Sequence, residues 1–162
     1  MKTILVVLLA VALFSCQSNS DSEARLQSQI DSLQTKLADS YKPGLGEFMS
    51  SVQAHHAKLW YAGHNQNWKL ADYELTELKE LFQDITKYNT DRKEASLVGM
   101  IQGPINQVSN AIQSQNVKQF DDNFTLLTKT CNACHLASRY EFNVVKVPEG
   151  QMFDNQEFKP AN

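Results

Sequence analysis

Apolar residues recur at spacings of three and four through most of this chain, the period of helices that bury one face. Four such segments can be marked. Residues 45–62 carry the stripe Leu45, Phe48, Val52, His55 or His56, and Leu59, with Gly63 and Asn65 as stop signals. Asn67 is placed to cap a second helix, in which Ala71, Leu75, Leu78, Phe82 and Ile85 face the core. Asp91 and Glu94 have capping-box spacing before a third, striped by Val98, Ile101, Ile105, Val108 and Ile112. Gly103-Pro104 interrupts that stripe. Proline removes a backbone hydrogen bond and clashes with the preceding turn, so the pattern predicts a kink, with a break into two shorter helices as the alternative. A fourth helix, capped near Asn116, runs through Phe120, Phe124 and Leu127 to about Tyr140. Short loops between amphipathic helices favour antiparallel neighbours, so the expected fold is all-α, an antiparallel four-helix bundle over residues 45–140.

Upstream of the bundle, Leu26, Ile30, Leu33 and Leu37 alternate spacings of four and three, the seam of a coiled coil about two heptads long. This predicts a short helical stalk over 25–42, ended by Pro43 and Gly44. Such a seam is marginal alone, and assembly into a homo-oligomer is one way to bury it. Residues 16–24 are polar and rich in Ser, Asn and Asp, which reads as a flexible tether. At the other end, 141–162 form a C-terminal extension. Its Val144-Val145-Lys146-Val147 before Pro148 reads as a short extended segment, with Phe153 and Phe158 to anchor it across the bundle and shield one edge of the site.

Lys2 and the apolar run at 4–14 are too short to span a bilayer, which takes about 20 residues, but they suit a signal peptide. Leu13-Phe14-Ser15-Cys16 resembles a bacterial lipobox, in which the cysteine becomes the first mature residue and is lipidated. The prediction is a lipoprotein signal peptide over 1–15, a lipid anchor on Cys16, and a periplasm-facing place in the cell envelope. Gln17 stands where inner-membrane lipoproteins often carry aspartate, which favours the outer membrane. A net charge of −3 with no basic run excludes nucleic acid as an expected partner.

Of the three cysteines, two remain, in Cys131-Asn132-Ala133-Cys134-His135. C-x-x-C-H is the spacing that attaches a c-type haem, each thiol forming a thioether while the adjacent imidazole reaches the iron. At about 100° per residue, Cys131, Cys134 and His135 share the face that carries Phe120, Phe124 and Leu127. Chance would produce this motif in under roughly one chain in a hundred. Zinc would need a second ligand pair, for which adjacent His55-His56 is a poor match, and a thioredoxin-type pair expects a βαβ setting. The expected cofactor is one covalent haem c, held by Cys131 and Cys134 with His135 as proximal iron ligand. With lipid on Cys16, no cysteine is left for a disulfide.

Four amphipathic helices with the haem motif on the last one resemble the class II c-type cytochromes, the family of cytochrome c′ and its methionine-ligated relatives. The resemblance covers about residues 45–140. It implies that Arg139, four residues after His135, lies beside the proximal histidine. It also implies that the first helix covers the distal haem face, offering either a methionine or an apolar side chain. Class II chains usually stop soon after the motif, whereas this one continues for some twenty residues.

The first helix offers three distal candidates. Met49, Val52 and His56 lie on one stripe, with His55 nearer the Phe48 side. His56 stands ahead of His55; Met49, or no protein ligand at all, are the other outcomes. His64 is expected in a solvated loop, Met100 in packing, and Trp60, Tyr61 and Trp68 in the core around the first loop. Glu74, Glu77 and Glu80 with Lys79 read as a solvated helix face.

A filled sixth iron position suits an electron carrier serving a redox partner protein in the periplasm, the leading expectation, and makes the chain a carrier rather than an enzyme. An open position would suit a sensor or scavenger of nitric oxide or carbon monoxide. A small peroxidase would need an open site and a distal base; the first helix supplies no distal arginine.

Overall fold

The computed structural model describes the backbone of residues 2–40, 43–150 and 152–161, with side chains described from residue 20 onward except at 38. The chain divides into two units after residue 42. The first is one helix, α1 (Lys2–Ser40). Residues 17–23, whose composition reads as tether, lie within this helix, and it continues through 25–40 where a stalk is expected. The last two residues assigned to the stalk, and the side chain of Cys16, lie outside the described residues. Leu26, Ile30, Leu33 and Leu37 are all exposed, so the coiled-coil seam is intact and uncovered. Among the described residues, no helix is long and apolar enough to cross a membrane.

The second unit holds α2 (Leu45–His64), α3 (Trp68–Tyr88), a 3₁₀ segment (Lys93–Ile101), α4 (Gln102–Gln113) and α5 (Val117–Ala137). No strand occurs among the described residues. The chain is therefore all-helical. Helix α2 packs on α3 and α5, and α4 packs on the same two, around a core that includes Leu59, Leu75, Ile85, Val108, Phe120 and Phe124.

Local chemistry explains how tightly the helices are joined. At the end of α2, Asn67 N–H bonds to the Ala62 carbonyl and Gln66 N–H to that of Gly63, with Gln66 at φ 60°. That is a Schellman motif closed by a non-glycine residue. The same Asn67 is the N-cap of α3, its side chain accepting from the Leu70 amide. The pattern repeats between α4 and α5: Gln115 takes φ 51°, Asn116 N–H bonds to the Ala111 carbonyl, and the Asn116 side chain caps α5 at Gln119. One asparagine ends each helix and starts the next. A left-handed L-residue costs about 1–2 kcal/mol. Full burial of Phe120 or Phe124 contributes about 1.5–3 kcal/mol each, so packing covers the strain.

Three expectations are corrected. Pro104 kinks nothing: the helix breaks, because the chain runs as 3₁₀ to Ile101 and α4 starts at Gln102, which leaves Pro104 in a first turn where its missing N–H has no partner to lose. The third segment starts one residue later than the Asp91–Glu94 spacing implies: Arg92 is the N-cap residue of the 3₁₀ segment, and its guanidinium holds Glu94 at 3.1 Å. Gly63 is no stop signal. It is buried inside α2, and a Cβ built there would stand 2.1 Å from Phe120 Cζ, so this glycine permits α2 and α5 to approach.

Beyond α5 the chain is irregular but attached. Val147 and Phe153 pack against the core, Phe158 is buried, and Tyr61 donates its hydroxyl to the Gly150 carbonyl.

Candidate haem-attachment cleft

Helix α5 begins under its Asn116 cap and buries Phe120, Phe124, Leu127 and Thr128. The same face continues into Cys131, Cys134 and His135, which are partly buried and stand in the wall of a cleft. The opposite walls come from α2 with Met49, Val52 and His56, from α3 with Leu78 and Phe82, and from the 3₁₀ segment with Val98, Met100 and Ile101. The C-terminal extension adds Asn143 and Val145. Unfilled space in the cleft, counting its open mouth and the solvent there, is about 780 Å³. Its lining is predominantly apolar.

Both thiols are held in their neutral form. Burial pushes Cys131 up to about 12, with neighbouring Cys134 adding to the effect, and burial likewise raises Cys134. Reactive redox cysteines have lowered values, so this pair is poorly built for thiol–disulfide exchange. Neither cysteine forms a disulfide.

His135 has a defined orientation. Its Nδ1 lies 2.6 Å from the carbonyl oxygen of Asn143, which can only accept, so Nδ1 is the donor and, in the neutral ring, Nε2 is the nitrogen with the lone pair. An imidazole tied in this way is the form that binds a metal through Nε2. The Asn132 side chain between the two cysteines reaches the extension as well. It donates to the Val145 carbonyl at 2.8 Å and accepts from the Val145 amide at 2.8 Å.

On the facing wall, His56 is 4 % exposed and lies tilted against Phe124 with ring centroids 4.5 Å apart. Thr128 commits its hydroxyl proton to the Phe124 carbonyl, so its oxygen accepts from His56 Nε2–H at 2.9 Å. Burial lowers the His56 pKa to about 4, which keeps the ring neutral at ordinary pH. His55 points elsewhere. Its Nδ1 meets Glu74 Oε2 at 2.7 Å, and Glu74 is 1 % exposed rather than part of a solvated face.

The remaining sequence-predicted residues divide cleanly. Met49 and Met100 line the cleft together with the C-x-x-C-H motif, and so does His56, whereas His55 does not. Arg139 is exposed, takes φ 66° in the Schellman turn that ends α5, and is not in the cleft wall. His64 is exposed at the end of α2, stacked on Trp60 and 3.2 Å from Asp121. Trp60 lies against Phe120 and Phe124, and Tyr61 against Phe153 and Phe158, as core residues away from the cleft. Residue patterning gave no sign of Asn132 or Asn143. Glu74 had a signal, since it sits between Ala71 and Leu78 on the buried face of α3.

Compared with known proteins, the chain matches no protein family, no curated protein and no solved structure.

Proposed function

We propose that this protein is a monohaem c-type cytochrome of the class II kind, an antiparallel four-helix bundle carrying one covalent haem on α5, lipid-anchored through Cys16 and transferring electrons in the periplasm. The observation that carries the reading is the cleft itself. Two neutral thiols and an imidazole with its Nε2 lone pair free stand on one wall, and Met49 stands on the facing one. The residues fit the group. Cys131 and Cys134 supply the thioethers and His135 the proximal ligand, while Leu78, Phe82, Val98 and Ile101 exclude water from it. A haem bound there supplies one-electron redox chemistry, and its reach toward a redox partner protein lies at the open mouth of the cleft.

Cross-helix contacts support antiparallel pairing of α2 with α5: Gly63 meets Phe120, His64 meets Asp121, and His56 meets Thr128. Carried two turns further, that pairing brings Val52 level with Cys131 and Met49 level with His135. His56 falls two turns from Met49, at the level of Thr128. Met49 is therefore the preferred distal ligand, ahead of His56, and a methionine-bound, six-coordinate iron suits a carrier.

The test is to produce the full chain in a host competent for cytochrome maturation, stain a denaturing gel for bound haem, and record the spectrum of the reduced protein. Covalent pigment with sharp, split low-spin bands is expected. A colourless band overturns the proposal. A second reading, a five-coordinate protein that binds nitric oxide or carbon monoxide, is favoured by the position of His56, held at the level of Thr128 two turns from Met49, so that Met49 alone of the α2 candidates stands level with His135. A broad high-spin spectrum and prompt carbon monoxide binding by the native protein would select it.

A further inference from the structure

We infer that Asn132, inside the C-x-x-C-H motif, is a positioning residue that clasps the C-terminal extension so that the Asn143 carbonyl holds and tunes the imidazole of His135. The inference rests on His135 being a haem ligand. The bond between His135 Nδ1–H and Asn143 O orients the ring, and its acceptor belongs to no helix. Something must hold that carbonyl in place. Two residues further on, both polar groups of the Val145 backbone are paired with the Asn132 side chain, N–H to Oδ1 and C=O to Nδ2, each at 2.8 Å. On the near side, Asn143 N–H bonds to the Tyr140 carbonyl at 2.9 Å. On the far side, Val147, Phe153 and Phe158 pin the extension to the core. Asn143 is thus bracketed, and the clasp nearest to it comes from the haem motif itself.

Asparagine is the side chain this clasp requires. It offers one donor and one acceptor in a plane, at a reach that matches a single backbone residue; aspartate offers two acceptors and would oppose the Val145 carbonyl. A proton shared with a carbonyl raises the basicity of the imidazole, which favours the ferric state. Loosening the clasp weakens that bond, so the reduction potential rises.

The experiment compares the full-length holoprotein with Asn132→Ala, Asn132→Asp and Asn143→Ala, reading the reduction potential and hydrogen exchange at the Val145 amide. Asn132→Ala and Asn132→Asp should raise the potential and speed exchange at Val145 by about tenfold or more, the equivalent of some 1.4 kcal/mol. Asn143→Ala keeps the backbone carbonyl that the ring uses, so its effect on both readouts should be smaller than that of either Asn132 variant. Should Asn132→Ala fail to mature, the isosteric Asn132→Asp answers the same question. Faster exchange with an unmoved potential would overturn the positioning role, and unchanged exchange would overturn the clasp. Exchange is read whether or not haem is attached, so failure of the clasp is distinguishable from failure of the cytochrome reading, which the pigment stain decides.

Discussion

Gly63 and Phe120 meet so closely that the space a side chain would need on one is already filled by the ring of the other. The Phe120 ring is itself enclosed by Trp60, Trp68 and Phe124 and has no exposed surface. Gly63→Ala is expected to destabilise the second unit by at least about 2 kcal/mol, the scale of overpacking a rigid core. Denaturant titration should show a lower midpoint, and an unchanged midpoint would mean that α2 and α5 are spaced more widely.

Gln66 and Gln115 both occupy left-handed conformations at helix ends, where glycine carries no steric penalty. Gln66→Gly and Gln115→Gly should each stabilise the fold by about 0.5–1 kcal/mol, since relief of strain exceeds the added freedom of the unfolded chain. Alanine at either site should give no such gain. Thermal midpoints of the four variants provide the comparison.

His56 makes stability depend on pH in a definite direction. Unfolded, it takes a proton near 6.5; folded, burial delays this to about 4. Between those values the unfolded state binds more protons, so stability is full above pH 6.5, falls as the solution is acidified, and has lost about 3 kcal/mol from this group below pH 4. His56→Gln can still donate to Thr128 but does not titrate. The difference in unfolding free energy between His56→Gln and the parent should therefore change by this amount between pH 7 and pH 4.

Substitutions in the distal wall separate the two candidate ligands. Under the proposed cytochrome reading, Met49→Ala is expected to turn the reduced spectrum from low-spin to high-spin and to open the iron to carbon monoxide, while His56→Ala should leave it low-spin. The opposite pair of results would transfer the role to His56.

Removing Glu74 should expose the cost of a broken buried pair. Glu74→Ala deprives His55 of its partner and leaves a hole in the core beside Leu75 and Leu78, for a loss of about 2–4 kcal/mol. Glu74→Gln keeps an acceptor for His55 Nδ1 and should lose less. Urea unfolding of the two variants would measure the difference.

The helices of the second unit were readable because each follows a three-and-four apolar stripe, and Asn67 and Asn116 announced two of their starts through ordinary capping chemistry. The motif on α5 was equally plain, since its three side chains extend a stripe already set by Phe120, Phe124 and Leu127. What sequence patterning missed depends on partners far along the chain. Gly63 near a helix end suits either a stop or a close approach, and only Phe120, on another helix, decides between them. Glu74 sits on the buried stripe of α3, but its pairing there depends on His55 from another helix. Asn132 sits at a position any residue can fill within C-x-x-C, and its bonds to Val145 depend on the path of an irregular segment. Pro104 marked a disruption correctly, but the choice between bend and break was made by the 3₁₀ winding ahead of it.

Asn67 and Asn116 each serve two helices at once, and this leaves the joints without slack. One residue inserted between Gln115 and Asn116 would have to be absorbed by turning α5 about its own axis, by about 100° per added residue. Such a turn would swing Cys131, Cys134 and His135 out of the cleft together. The angular setting of the helix that carries the C-x-x-C-H motif is thus indexed by a joint about four turns upstream of Cys131.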